Sequence, residues 1–519
     1  MQEIELKFLV PEYRLDGLMR QTKVKSSLTS LLAAHYFDTP DQVLAANGMA
    51  LRIRKEGDRW VQTLKSNGDG MASRGEQNNV LDSQMVAEAL ATDTLSPDLS
   101  LYDTLDITQL VASPDTQRTT DALACQYITE VQRTTRLIKK DDSTIELAYD
   151  EGRVIHGEDS QISQPIHEIE FELIEGDVHF LFETAKTWCR RYNLCLSTVT
   201  KAERGGLLLA GKQHAEATKA DLRQLAVHKK MSQPQFLRAV VHNCMIQILP
   251  NASAIADGST DSAHVHQLRV GIRRLRTALR FFKDFSSQIN PEWAPILKQT
   301  FSLLGDYRDR ELLQTRTQPM LEKLGGPAVD WSEERAAIRI KPIDAVRAND
   351  FQITLLELIE YTMSPAKKDR PLIKHSGTGS KTKGAKKNPA KLSTQQATSE
   401  LLEALYTKIS QASDQFASLS TDAQHDVRKR LKSLRYVSEF TAALYKDKKS
   451  KAFLKYLEPA QEILGEYNDD IVGQYFYGQK AQQDPNAWFA VGYFSAQEVH
   501  AANQCAQSLK SIKDAPKFW

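Results

Sequence analysis

Polar and apolar residues alternate through Met1-Gln2-Glu3-Ile4-Glu5-Leu6-Lys7-Phe8, placing Glu3, Glu5 and Lys7 on one face of an extended segment and Ile4, Leu6 and Phe8 on the other. Taken alone, this is a half-buried strand with its charged face in water. The period-two pattern recurs, with turn residues between its segments, as far as about residue 210. Tyr36-Phe37-Asp38-Thr39-Pro40 ends a strand in a turn; Arg52 and Arg54 share a face, as do Thr63 and Lys65, and Arg74, Glu76 and Asn78 are again spaced by two. Glu146, Ala148 and Asp150 repeat the spacing, followed by Glu168, Glu170 and Glu172, whereas the odd interval between Arg133 and Arg136 puts those two on opposite faces of a regular strand. The pattern predicts a mostly antiparallel sheet with a few helices, one of them over Val178 to Tyr192.

From about residue 225 the apolar spacing becomes helical and the remainder reads as all-α. An internal duplication lies within it. His266-Gln267-Leu268-Arg269-Val270-Gly271-Ile272-Arg273-Arg274-Leu275-Arg276 matches His425-Asp426-Val427-Arg428-Lys429-Arg430-Leu431-Lys432-Ser433-Leu434-Arg435, and Leu304-Gly305-Asp306-Tyr307-Arg308-Asp309 matches Leu464-Gly465-Glu466-Tyr467-Asn468-Asp469 at nearly the same offset. Two repeated four-helix bundles are the simplest architecture. The predicted organisation is therefore α+β: a sheet domain over 1–210, a linker over 211–227, and a helical domain over 228–519 in two halves, about 228–363 and 394–519. Between the halves lies a basic, apolar-poor insertion over 364–393.

Composition changes this picture little. The 519 residues are 41% hydrophobic and 26% charged, ordinary for a soluble globular chain and too many for one core. No run is apolar enough for a transmembrane helix, and no basic segment followed by an apolar stretch opens the chain, so a cytoplasmic protein without membrane association is expected. Five scattered cysteines lack zinc-like spacing and suit free thiols in a reducing compartment. Net charge is only +1, which argues against a strongly basic nucleic-acid binder, but charge is segregated: acidic strands come early, and arginine-rich helices far downstream.

That segregation carries the chemistry. Some strands bear Arg and Lys and others bear Glu pairs, and like charges across a ladder are destabilising, so the charged faces point to one shared polar surface. If the strands close into a barrel with the charges inside, the cavity needs counter-ions: hard divalent cations for the carboxylates, phosphate oxygens for the arginines and lysines. A polyphosphate chelating Mg²⁺ or Mn²⁺ satisfies both. In the helical region His266, Arg269, Arg273, Arg276 and Arg280 form a cationic stripe opposite Leu268, Ile272, Leu275, Leu279 and Phe282. His425, Arg428, Lys432 and Arg435 repeat it against Val427, Leu431 and Leu434. Repulsion at these spacings costs stability that a polyanion recovers. The scarcity of aromatics among the arginines argues against nucleic acid, and none of His264, His266 and His425 has a ligand partner at zinc spacing.

On these residues the first 210 positions resemble the CYTH superfamily of triphosphate tunnel metalloenzymes, which includes inorganic triphosphatases, thiamine triphosphatases and class IV adenylate cyclases. The resemblance rests on Glu-x-Glu-x-Lys at the start, Tyr36 to Pro40, Leu51-Arg52-Ile53-Arg54, Thr63 and Lys65, Arg74-x-Glu76, Glu146, Asp150, the Glu168/Glu170/Glu172 strand and Lys201-Ala202-Glu203-Arg204-Gly205. The helical remainder resembles a CHAD domain, whose histidine and arginine repeats bind inorganic polyphosphate in that family. Together they are similar to bacterial CYTH-CHAD proteins that hydrolyse inorganic triphosphate. The resemblance implies a closed eight-stranded antiparallel tunnel in which Lys7, Arg52, Arg54, Lys65, Arg133 and Arg204 hold triphosphate. It implies Mg²⁺ or Mn²⁺ on Glu3, Glu5, Glu168 and Glu170, with Glu76, Glu146 and Asp150 as further acidic candidates. Glu5, Glu170 and Lys201 are the implied catalytic groups, and His266, Arg269, Arg273, Arg276, His425, Arg428, Lys432 and Arg435 the implied polyphosphate ligands. Asn78 stands where many members carry an acidic residue, which leaves a second metal open. Three functions follow as expectations: an inorganic triphosphatase releasing pyrophosphate and phosphate, a non-catalytic polyphosphate-binding adaptor, or a thiamine triphosphatase or class IV adenylate cyclase. A homo-oligomer stays open.

Overall fold

Among the described residues of the computed structural model the sheet region forms nine strands: β1 (Gln2–Leu9), β2 (Leu28–Asp38), β3 (Met49–Glu56), β4 (Arg59–Gly70), β5 (Ser73–Leu81), β6 (Ala124–Lys140), β7 (Ser143–His156), β8 (Ser163–Glu175) and β9 (Cys195–Leu196). The structure describes residues 2–22, 25–70, 73–102, 123–366, 369–372 and 392–519; the side chains of 2, 3, 22, 67–70, 73 and 74 fall outside that description. Most of the basic insertion predicted over 364–393 also lies outside the described residues.

The strands pair in the order β5-β4-β3-β2-β6-β7-β8-β1-β9. A further short ladder joins β1 to β5 at Gln2–Gly75, Glu3–Arg74 and Ile4–Ser73. The expected barrel of eight strands closed along its length is corrected on two counts. A ninth strand of two residues flanks β1, and the join to β5 is confined to that short ladder. The reason is the length of β1: it has 8 residues against 17 in β6, and it divides its backbone groups among β8, β5 and β9.

The uncharged face of the strands is apolar because helices cover it. Beneath the helix Val178–Tyr192, Phe171 of β8 meets Phe8 of β1 edge-on at 5.6 Å and Trp188 of the helix at 5.7 Å. The helix Asn349–Met363 adds to this layer. Its Glu360 pairs with Lys186 at 3.0 Å and meets His179 at 2.5 Å, and its Asn349 donates to Asn193 Oδ1 at 2.7 Å.

Two compact units divide the chain, and their bounds differ from those expected. The first contains Met1–Thr218 with Leu249–His264 and Val346–Met363; the second contains Lys219–Ile248, Val265–Ala345 and Ser364–Trp519. Two segments of the helical stretch thus belong with the sheet: Asn349–Met363 packs against the helix Val178–Tyr192, and in Leu249–His264 Ser253 accepts from Thr198 N at 3.1 Å.

The duplicated stripes fall on the helices Ser262–Phe281 and Thr421–Thr441, and the downstream repeats on Trp293–Leu312 and Asp447–Lys480. Gln233–Ala256 and Asn349–Met363 accompany the first copy, Thr394–Ser413 and Trp488–Ser511 the second. Asn349–Met363 belongs to the first unit, a difference from self-contained halves.

Gly152 of β7 sits so close to β6 that a Cβ there would lie 2.0 Å from Glu130 O and 2.8 Å from Val131 Cα. Backbone cannot move aside, so Gly152→Ala is expected to destabilise the first unit by about 1–3 kcal/mol, measured as a lowered denaturation midpoint.

Candidate functional site

Strand register aligns the charged side chains in rows across the inner face. Glu5 of β1 lies opposite Glu172 of β8, and Glu172 opposite Glu146 of β7, so three carboxylates stand side by side. In the next rows Lys7 lies opposite Glu170, Glu168 opposite Asp150, and Asp150 opposite Arg133 of β6. On the other wall Tyr36, Arg52, Thr63 and Asn78 align across β2 to β5, beside the Lys65–Glu76 pair. These rows bound a cavity of about 680 Å³. Its walls include Lys7, Arg52, Arg54, Lys65, Arg133 and Lys201 together with Glu5, Glu76, Glu146, Glu170 and Glu172.

Asp150 and Glu168, both 0% exposed, lie just behind the wall and meet three cations there. Lys201 Nζ is 2.6 Å from Asp150 Oδ2 and 3.0 Å from Glu170 Oε1, and also pairs with Glu168. Lys7 Nζ is 2.9 Å from Glu170 and 3.4 Å from Glu168. Arg133 grips Asp150 in a fork, Nε to Oδ1 at 2.7 Å and Nη2 to Oδ2 at 2.6 Å, and reaches Glu170 at 2.5 Å. Burial alone would favour the neutral forms, but the partners win. Lys201, Lys7 and Arg133 hold Glu170 well below the usual carboxylate range, and Lys201 and Arg133 hold Asp150 down. Burial disfavours the Lys7 and Lys201 ammonium groups, yet Glu168 and Glu170 lift both above the ordinary lysine value.

The oxygen donors suit a hard divalent cation. Asp150, Glu168 and Glu170 bring carboxylate oxygens within 4.8 Å of one another, and among the described residues the buried Glu168 Oε2 has no hydrogen-bond partner. Glu172 completes the acidic row with Glu5 and Glu146; its period-two spacing from Glu168 and Glu170 was the signal for it in the sequence. The Glu3 side chain lies outside the described residues.

Arg204, expected among the phosphate ligands, is not on the cavity wall. The wall positions of its helix, Lys201–Leu209, are Lys201, Ala202, Glu203, Gly206 and Leu209. Arg204 instead acts on Asp257, whose carboxyl is raised by burial and opposed first by Arg204 and then by His214. Gly205 explains why this helix sits so close: a Cβ there would be 2.2 Å from the Tyr127 ring, whose hydroxyl donates to Ala202 O at 3.1 Å. Arg52 Nη1 approaches the Tyr36 hydroxyl at 3.5 Å, and Arg54 is held by Glu56 at 2.8 Å. Burial pushes the Cys125 and Cys195 thiols up to about 11 and Cys189 to about 12, which suits inert thiols.

The second unit gathers cations from both repeat copies. Burial, then Arg273 and Arg428, push Lys432 down to about 6 against the opposing pull of Asp469. Burial and the surrounding Arg308, Arg273, Arg269 and Lys432 lower His266. Phe301 lies under three guanidinium groups, those of Arg269 at 4.5 Å, Arg273 at 5.2 Å and Arg276 at 5.3 Å. Arg269 also donates to Phe301 O at 3.0 Å, an approach that needs Gly305, where a Cβ would meet Nη1 at 2.3 Å. His425 meets Asn468 at 2.9 Å, and Arg435 is engaged by Glu439 at 2.7 Å and Gln461 at 2.6 Å. Asp309 and Asp469, the last residues of the two downstream repeats, act on Arg269 and Lys432 respectively. The repeat itself could have pointed to both.

A sheet with both signs of charge facing a cavity, joined to a duplicated cationic helical region, defines a two-part α+β protein. A CYTH domain model matches residues 1–205 and a CHAD domain model residues 239–477; the chain is a CYTH-CHAD protein. It is 34% identical over 214 residues to a protein of Haemophilus influenzae named inorganic triphosphatase, a match taking in 40% of this chain and 55% of that one, so the chain spans about half the length of that relative. It is 25% identical over 537 residues to an uncharacterized protein of Mycobacterium tuberculosis, covering 98% of this chain and 95% of that one. The crystal structure of the CHAD domain from the plant Ricinus communis covers 59% of this chain and 100% of its own at 24% identity, with a TM-score of 0.46. Among the described residues no helix is long and apolar enough to cross a membrane.

The ion cluster sets a pH response. Depressed carboxylates stabilise the fold fully above their unfolded values of about 3.9–4.3 and lose that contribution as pH falls through the folded ones. The raised lysines contribute below about 10.4 and lose it only at higher pH. Denaturant midpoints should therefore drop below about pH 4, and Glu170→Gln should make this acid limb shallower. An unchanged limb would separate Glu170 from the acid sensitivity.

Proposed function

We propose that this chain is a metal-dependent inorganic triphosphatase, cleaving triphosphate to pyrophosphate and phosphate, whose helical unit binds longer polyphosphate. The observation that carries this reading is the cavity wall, where five cationic side chains, Lys7, Arg52, Arg54, Lys65 and Arg133, face the same space as the acidic row Glu5, Glu172 and Glu146. The Haemophilus relative's name supports it.

Glu5, Glu146 and Glu172 would hold Mg²⁺ or Mn²⁺, with Glu3, Glu76, Asp150, Glu168 and Glu170 as further ligands; the ion's chemistry is to neutralise phosphate charge. Arg52, Arg54 and Lys65 would bind the phosphates from one wall, Lys7 and Arg133 from the other, keeping attacking and leaving oxygens in line. Lys201, lifted above its usual range by three carboxylates, keeps its proton and serves as a donor that orients a phosphate or the attacking water. Glu170 is held ionised by its three cations, which weakens it as a base, and Glu5 on the acidic row is assigned to take the water's proton.

In the helical unit, Arg269, Arg273, Arg276 and His266 of one copy and Arg428, Lys432, Arg435 and His425 of the other would form one anion surface. Both copies act on the same groups: Arg273 and Arg428 together depress Lys432. An adaptor that binds polyphosphate without turnover is the second reading, favoured by that cationic cluster alone.

Phosphate release from the full chain with Mg²⁺ or Mn²⁺, compared across tripolyphosphate, thiamine triphosphate, ATP and long polyphosphate, separates these readings. Release is expected from tripolyphosphate, and Glu5→Gln should lower it by about 100-fold or more. A folded protein inactive on all four substrates sinks the enzymatic reading, and cyclic AMP formed from ATP would point to a cyclase.

Anion binding should also return Lys432 from about 6 towards the ordinary lysine value of about 10.4. Between those limits the free protein binds fewer protons than the complex. Long polyphosphate should then bind with proton uptake and more tightly as pH falls from 9 to about 7. Calorimetry in buffers of different ionisation enthalpy reads the uptake, and Lys432→Met should abolish it.

A further inference from the structure

Lys201 is delivered to its three carboxylates by a short connector, residues 197–200, between β9 and the helix Lys201–Leu209. One end of the connector is tied to the sheet: Ser197 N donates to Lys7 O at 2.9 Å, and β9 pairs with β1 through Phe8–Leu196 and Leu9–Cys195. The other end is a capping box, with Thr200 N donating to Glu203 Oε2 at 2.7 Å and Glu203 N to Thr200 Oγ1 at 3.0 Å. Two backbone N–H groups here bond to side chains instead of to a strand: Leu196 N, at the end of β9, donates to Gln352 Oε1 at 2.8 Å, and Thr198 N, within the connector, donates to Ser253 Oγ at 3.1 Å.

Both acceptors come from the distant segments that pack into the first unit, and each is only 1% exposed. Gln352 is fixed in turn, its Nε2 donating to Val346 O at 2.8 Å. A buried N–H without an acceptor is expensive, so losing either side chain would drive the connector to a new position. A shift of about 1 Å at a reacting group can cost about 100-fold in rate.

We infer that Gln352 and Ser253 are positioning residues for the phosphate-cleaving site: they fix the connector's register and so set where the Lys201 ammonium meets Asp150 and Glu170. This rests on the triphosphatase reading of the cavity. It makes part of the helical sequence a working component of the sheet's chemistry.

The test is a double-mutant cycle in the full chain. Ser253→Ala and Gln352→Leu are each made alone and combined with Lys201→Met, and phosphate release from tripolyphosphate with Mg²⁺ is measured beside the thermal midpoint. If they act through Lys201, each lowers kcat about tenfold or more in the wild-type background but changes it less than about twofold when Lys201 is already absent. Equal fold-losses in both backgrounds would mean a general effect on the fold and overturn the inference. Ser253→Thr keeps the hydroxyl and should retain activity within about twofold; a loss as large as that of Ser253→Ala also overturns it. Should Lys201→Met show no turnover, the same cycle is read from tripolyphosphate affinity by calorimetry, with the same outcomes. Wild-type protein that releases no phosphate defeats the functional reading, whereas active wild type with an additive cycle defeats only this inference.

Discussion

Three buried carboxylates and three cations hold the centre of the first unit: Asp150, Glu168 and Glu170 against Lys7, Lys201 and Arg133. None could be buried alone, because desolvating an unpaired charge costs several kcal/mol. The balance of signs makes the burial tolerable, and it requires that β1, β6, β7, β8 and the helix starting at Lys201 all arrive in register. A one-residue slip of β8 would turn Glu168 and Glu170 to the apolar face and put Ile169 and Phe171 among the cations. The charged cavity is therefore as much a folding constraint as a place for chemistry.

Much of this was legible in the sequence. Period-two spacing of Glu3, Glu5 and Lys7, and of Glu168, Glu170 and Glu172, fixes which side chains share a face, because a strand has no other periodicity. The duplication in the helical stretch was equally plain. Register was not legible, since nothing local says that Glu5 stands opposite Glu172 rather than Glu170. Nor was the true neighbourhood of Arg204: three residues after Lys201, it shares a side of the helix with it by spacing, but spacing does not say which neighbours a side chain meets. Non-local packing of residues 249–264 and 346–363 with the sheet escaped for the same reason. Their helical period predicts an apolar face without saying what covers it.

The helical unit keeps its like charges by a different device. Instead of pairing each arginine with a carboxylate, the first copy stacks Arg269, Arg273 and Arg276 around Phe301, whose ring faces attract cations without cancelling their charge. Arg274, next in the sequence, is 1% exposed and bonded to the neutral side chains Gln247 and Asn243. The stripe therefore keeps positive charge that carboxylate pairing would have cancelled.

The dependence of β9 on Gln352 bears on the order in which the protein can be made. A ribosome releases the sheet strands first, yet the acceptor for Leu196 N and the second carboxylate on Lys186, Glu360 beside the local Glu183, are encoded more than a hundred residues later. Until that stretch emerges, the nascent first unit has a strand edge without its native acceptor and an ammonium group with one of its two carboxylates. The family boundary at residue 205 marks a unit of ancestry, while the unit that completes its own hydrogen bonds reaches to Met363.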